Sequence, residues 1–172
     1  MKRQLDERLA ALFGGDLLAI YLQDHLAGAT FGLELARRAH GSNTDTEFGE
    51  FLARLATEIE EDRAALTALA ERLGVSADRL KVALAWAGEK AGRLKPNGRF
   101  MTYSPLSRVV ELEGLIAGVS GKHALWSALR DHAEHDERLD RVELERLIGR
   151  AEDQLAELRR RQRDAAALAF SP

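Results

Sequence analysis

The connection between the second and third long helices decides the fold, because it sets how those helices can be joined. It is the stretch "VSADRLKVALAWAGEKAGRLKPNGRFMTYSP", residues 75–105. Ser76 can cap a helix over about 77–93, and the Pro-Asn-Gly at 96–98 indicates a turn. At 1.5 Å per residue this helix covers about 25 Å. The connection can therefore return along most of the length of a helical bundle.

Four longer segments flank this connection, and each has apolar residues at every third or fourth position, as amphipathic helices do. The predicted helices are residues 17–40, the segment from Thr44 to Gly74, residues 105–133 and residues 137–168. Their expected starts are Asp16, the Thr44–Glu47 capping box, Ser104–Pro105 and Asp136. No strand-like alternation interrupts them, so the sequence predicts an all-α fold.

The short links inside each pair make neighbouring helices antiparallel, and the long connection is a crossover between two helical hairpins. A short amphipathic helix is also predicted over residues 2–13, where leucines fall at helical spacing. We therefore expect a short N-terminal helix within residues 1–15. We expect a bundle over residues 16–172, with its crossover at 75–103.

The composition excludes sites that depend on cysteine, and it contains no membrane-spanning segment. The chain has 172 residues, 45% of them hydrophobic, and no cysteine, which excludes disulfides, thiolate zinc sites and cysteine nucleophiles. No stretch approaches the roughly 18 apolar residues of a membrane span. The sequence therefore predicts no membrane association and a cytoplasmic location.

Four sequence segments carry a resemblance to a known fold: "YLQDHLAGATFGLELARR", "LATEIEEDR", "WAGEKAGRLKPNG" and "SPLSRVVELEGL". Together they resemble the ferritin-like four-helix bundle, and a type of small, uncharacterised bacterial helical protein. The similarity covers about residues 16–165. The resemblance implies two antiparallel helical hairpins joined by a crossover.

Di-iron members of that fold use Glu-x-x-His motifs on two of their helices. Here Glu58, Glu60 and Glu61 are followed three positions later by Glu, Arg and Ala. On the last helix, Glu143, Glu145 and Glu152 are followed by Arg, Ile and Leu. The resemblance therefore implies the fold and not the di-iron activity.

One polar residue interrupts the apolar stripe of each long helix. These residues are His25, Asp62, His123 and Glu152. In the crossover topology their axial positions fall within about one helical turn of each other. Two imidazoles and two carboxylates would suit Zn, Mn or Fe(II). We favour a buried polar network instead, with His25 bonded to Asp62, because buried polar groups need partners.

The crossover is basic. Residues 79–108 carry seven Lys or Arg side chains and one acidic residue, in a chain whose net charge is −3. Candidate anion-binding residues are Arg79, Lys81, Lys90, Arg93, Lys95 and Arg99. Trp86, Phe100 and Tyr103 lie among them, which would suit single-stranded nucleic acid. We favour a basic element lying against an acidic bundle, so nucleic acid is not an expected partner.

Two further features have structural interpretations. Gly114, Gly118 and Gly121 are predicted to allow close contact between helices, within one continuous helix. His132 and His135 lie at the corner between the last two helices, where histidines interact well with the negative end of a helix dipole.

The sequence contains no complete catalytic constellation. It predicts a non-enzymatic structural or interaction protein that self-associates as a homo-oligomer, with a further protein partner open. The alternatives are a metal-binding bundle, with a divalent ion as its only cofactor, and an anion-binding module that uses the basic crossover.

Overall fold

The structure, a computed structural model, describes residues 17–93 and 103–171. Every regular element in these residues is a helix. The helices are α1 (Leu17–Gly41), α2 (Gly49–Arg72), α3 (Ala77–Arg93), α4 (Pro105–His132) and α5 (Arg141–Phe170). The all-α prediction is confirmed for this part of the chain. The helix predicted over residues 2–13 lies outside it.

The predicted signals around the crossover helix are confirmed. Gly74 ends α2 with a φ of 89°, a conformation that glycine adopts without strain. The helix predicted over 77–93 is present with those bounds. Ser104 caps α4 in a capping box with Ser107, and α4 continues unbroken through its three glycines.

Two other predicted helix starts are wrong. Asp140, not Asp136, caps α5, and it accepts hydrogen bonds from the backbone N–H groups of residues 142 and 143. Asp136 instead binds the Arg138 side chain, which lowers the pKa of this carboxyl to about 2. The last helix therefore begins at Arg141, four residues later than predicted.

The predicted capping box at Thr44 and Glu47 does not start α2, which begins at Gly49 without a side-chain cap. The reason is the loop before it. The buried Asn43 side chain donates to the carbonyl of Ala39 and to the Tyr103 hydroxyl, at 2.7 and 2.6 Å. This pulls the loop across the helix start, where a Cβ on Gly49 would lie 2.7 Å from the Asn43 carbonyl oxygen. Only glycine fits there.

Contacts between the helices give their directions. Arg38 near the end of α1 binds Glu111 near the start of α4, so these two helices are antiparallel. Helices α4 and α5 are antiparallel as well, because Gln162 near the end of α5 binds Glu113 near the start of α4. Arg72 at the end of α2 binds Glu143 at the start of α5, which makes α2 antiparallel to α5. The crossover helix α3 packs against α1.

Buried apolar side chains form two clusters at opposite ends of these helices. One cluster includes Leu26, Leu66 and Leu125, and the other includes Leu33, Ile59 and Val119. Between them, each of α1, α2 and α4 places a polar residue. These residues are Thr30, Asp62 and Lys122. The apolar core is therefore divided at its middle. None of the described helices is long and apolar enough to cross a membrane.

Candidate ligand-binding cleft

A cleft of about 320 Å³ opens between α1, α2 and α4 at the level where the two clusters meet. Its deep side is formed by buried side chains, including Ile59, Leu66, Leu125 and Trp126. We call this space, including its mouth, the central cleft. Because most of its walls are apolar, it would hold an apolar molecule better than an ion.

Glycines on two facing helices keep the central cleft open. Gly28 and Gly32 line it from α1, and Gly118 and Gly121 line it from α4. A Cβ added at any of the four would meet no atom within 4 Å. The prediction of close helix contact is therefore wrong for Gly118 and Gly121. It holds at Gly114, where a Cβ would lie 3.0 Å from Leu35 Cδ2.

An ion-paired group forms the polar part of the cleft wall. Asp62 is only 3% exposed, and both Lys122 and Arg150 bind its carboxylate. The Lys122 ammonium also donates to the amide oxygen of Gln154, whose nitrogen donates to Glu58 at 2.8 Å. Burial lowers the pKa of Lys122, and the nearby Asp62 opposes that shift. Both oxygens of the buried carboxylate therefore have partners within the protein.

A buried polar atom near the cleft has no partner. The Trp126 side chain lines the cleft and is 1% exposed, and its indole N–H has no hydrogen-bond acceptor. Buried donors without a partner are uncommon and costly, since desolvation is not offset by a new bond. Because this nitrogen has almost no solvent-accessible surface, the donor is sealed within the packed core and does not lie on the cleft surface.

The four residues predicted to share one site are divided into two pairs, of which only one lines the cleft. His25 lines the cleft and packs edge-on against Tyr21, and burial lowers its pKa. Asp62 lines the cleft too, but its partners are Lys122 and Arg150 rather than the predicted His25. His123 instead faces Glu152 at 3.4 Å, and the Glu152 side chain is 63% exposed.

His123 does not face the cleft because it is one residue further along α4 than the inward position. His123 follows Lys122, so its side chain points about 100° away around α4, and Lys122 takes the inward position. Nowhere among residues 17–93 and 103–171 do three His, Asp or Glu side chains come together to hold a metal ion. Asp62 therefore belongs to a polar network with Lys122 and Arg150, partners that the sequence analysis did not assign.

Lys122 was missed by the sequence analysis, although a signal existed. It lies three residues after Val119 and four before Trp126, both of which are buried. That spacing places it on the inner face of α4. A lysine on an apolar stripe requires a buried acidic partner, and Asp62 stood at the matching position of α2.

The basic crossover is described only in part. Lys81 is exposed on α3, whereas Arg79, Lys90 and Arg93 belong to this helix without described side chains, and Lys95 and Arg99 lie outside the described residues. Of the aromatics, Tyr103 donates to Glu111 and accepts from Asn43, so its hydroxyl is used inside the fold. Anion binding by this segment stays a prediction.

Comparison of the chain with protein-family models, with curated proteins and with solved structures finds no match.

Proposed function

We propose that this chain is a non-enzymatic binding protein that holds a small, mainly apolar molecule in the central cleft. The observation that carries the proposal is the cleft itself, with open space beside glycines on two facing helices. Its volume of about 320 Å³ lies within the range of roughly 300–1,000 Å³ that is typical of ligand sites. Such sites often lie between the helices of a bundle.

The low helix propensity of the glycines that line the cleft supports a role in binding. A glycine inside a helix costs about 1 kcal/mol relative to alanine. At Gly28, Gly32, Gly118 and Gly121 no neighbouring atom requires that cost, since an alanine methyl group would fit at each. The space that these glycines leave is therefore available to a bound molecule, which would regain the dispersion contacts that an empty site lacks.

The charged groups on the wall support binding rather than catalysis. The Asp62 carboxylate and the Lys122 ammonium neutralise each other, and each has further partners within the protein. A general acid or base must reach a proton of its substrate. In this arrangement neither group faces the cleft with its charge unpaired.

We also propose that the long helices form a ferritin-like four-helix bundle, with α1–α2 and α4–α5 as hairpins and α3 in the crossover. The directions deduced from the Arg38, Gln162 and Arg72 contacts support this topology. Disulfide cross-linking of cysteine pairs placed between α2 and α5 tests it. Cross-links between residues near 58 and 154 are expected, and cross-links between the two N-terminal ends would contradict it.

The binding proposal is tested by calorimetric titration with acetophenone, a small aromatic ketone. Gly121→Leu places a side chain in the cleft, while Gly149→Leu adds the same side chain on α5 outside it, also where no atom lies within 4 Å. Binding is expected in the unsubstituted protein and in Gly149→Leu, and loss is expected in Gly121→Leu. Equal binding in all three proteins, or none in the unsubstituted protein, would refute the proposal.

Self-association is a second candidate function. Leu106 and Val110 near the start of α4 are exposed, as are Leu168 and Phe170 near the end of α5. Because α4 and α5 are antiparallel, these side chains lie at one end of the helix pair. Sedimentation equilibrium is expected to show a dimer or larger species that Val110→Lys dissociates. A monomer at all concentrations would exclude this function.

A further inference from the structure

A second groove, of about 540 Å³, lies between α1 and α3, and we call it the α1–α3 groove. Val82 and Trp86 line it from α3, and both side chains are exposed. Asp24 and Ala27 line it from α1, and the exposed Ile20 lies four and seven residues before them, on the same helix face. Apolar side chains that are grouped on a surface, rather than scattered singly, mark a site of interaction.

This exposed apolar surface continues to the first residue of α1. Leu17 is 62% exposed and lies three residues before Ile20, and Tyr21, which follows Ile20, is exposed as well. Side chains at this spacing share one face of the helix. The chain that precedes Leu17 therefore joins α1 at the end of the apolar surface.

The segment before α1, which lies outside the described residues, has a matching sequence pattern. Leu5, Leu9 and Leu12 have the i, i+4, i+7 spacing with which an amphipathic helix binds an apolar groove. Gly14 and Gly15 follow them, and glycine adopts the backbone conformations of a tight turn without a steric cost. The sequence therefore allows the segment to turn back onto the helix that it precedes.

The length of the segment fits the α1–α3 groove. The two helices run in the same direction, because Leu80 packs in the cluster formed by the first turns of α1, and Trp86, further along α3, contacts Phe31, further along α1. A segment that turns back before α1 would run beside both helices. Residues 2–13 would cover about 18 Å as a helix, and the groove ends at Ala27, about 15 Å from the start of α1.

The charges of the groove and the segment are complementary. Asp24 and Asp78 line the groove, and no cation is among the described residues that line it. In the segment, Arg8 lies three residues after Leu5 and four before Leu12, so it borders the leucine stripe of a helix. A cation at the edge of the apolar contact would favour docking beside the two carboxylates.

We propose that residues 2–13 form a helix that occupies the α1–α3 groove, with its three leucines on the apolar walls and Arg8 beside the two aspartates. Tethering favours this occupant over a second copy of the chain, because a short link gives a segment an effective concentration in the millimolar range. The docking is independent of ligand binding in the central cleft, so either proposal can fail without the other.

Thiol labelling measures whether the segment covers the groove, since the chain has no cysteine of its own. Val82→Cys places a thiol on the groove wall, and Val142→Cys places one on α5 at a side chain that is 79% exposed. Adding Leu9→Gln is expected to speed maleimide labelling of Val82→Cys about tenfold, which corresponds to about 1.4 kcal/mol of docking free energy. Labelling of Val142→Cys should not change.

Glu7→Gln is the matched control, because it lies opposite the leucine stripe of the predicted helix. It should leave the labelling rate of Val82→Cys unchanged. Equal rates with and without Leu9→Gln would overturn the proposal, as would an equal acceleration by Glu7→Gln.

Disulfide formation identifies the occupant. Val82→Cys is combined in turn with Leu5→Cys, Leu9→Cys and Leu12→Cys, and each double variant is oxidised in dilute solution. At least one is expected to form a disulfide within a single chain, seen by peptide mass spectrometry and by migration as a monomer on a non-reducing gel. Disulfides only between two chains would overturn the proposal in favour of a second copy in the groove. The absence of a disulfide in all three would overturn it as well.

Discussion

The substitution Gly118→Ala tests whether the wall glycines leave real space. Gly118 lies inside α4, and a Cβ there would meet no atom within 4 Å. The methyl group therefore causes no clash and makes few new contacts. The remaining effect is on backbone conformational entropy, which favours alanine over glycine in a helix by about 1 kcal/mol. We expect the free energy of unfolding to rise by about that amount.

Equilibrium unfolding in urea measures the effect, and thermal unfolding should show a midpoint about 2–4 °C higher, as expected for a chain of this size. Gly149→Ala is the matched control, because it is also helical with open space around its Cβ, and it lies outside the central cleft. The two variants should gain equal stability.

Gly114→Ala gives the opposite expectation within the same helix. Its Cβ would lie 3.0 Å from Leu35 Cδ2, so the leucine must shift. That displacement offsets the backbone gain, and we expect the stability of this variant to be unchanged or lower. A loss of stability in Gly118→Ala, or equal gains at 114 and 118, would refute the difference between an open wall and a close helix contact.

Three further predictions follow from the polar groups. Asp62→Ala removes the carboxylate shared by two partly buried cations, of which Arg150 keeps Glu61 as a partner, and urea unfolding should show a loss of about 1.5–3 kcal/mol. Adding Lys122→Met should recover part of this loss, and no recovery would contradict the pairing. Burial lowers the pKa of His25 below 6.5, so the unfolded state binds this proton more readily. Its contribution to stability is present above pH 6.5 and is lost as the pH falls through the lowered pKa, so His25→Gln should reduce the fall in stability measured between pH 7 and 5. Asp140→Ala should cost about 1 kcal/mol as a lost cap, and a cost near zero would contradict the assigned helix start.

Features that depend on local sequence could be predicted. The crossover helix, the Gly74 ending and the Ser104–Pro105 start were each indicated by neighbouring residues, and each is present. The start of α2 could not be predicted in this way. It depends on Asn43 reaching Tyr103, which is 60 residues away in the sequence.

The candidate site was predicted less well, because it depends on distances between helices. The sequence analysis singled out Asp62, which is buried, but it assigned His123 instead of Lys122 to the facing position. Successive residues on a helix point about 100° apart. The spacing of apolar residues in the sequence does not fix which of two adjacent residues faces the core. Similarly, spacing alone cannot distinguish Gly114, which meets Leu35, from Gly118, which faces open space.

The central claim is that the cleft between α1, α2 and α4 holds a small, mainly apolar molecule. The most direct test is a crystal structure of the protein soaked with acetophenone. We expect electron density for the ketone between Gly121 on α4 and Ile59 on α2, which both line the cleft. A cleft closed by side chains, or one that stays empty while the ketone binds elsewhere, would contradict the account.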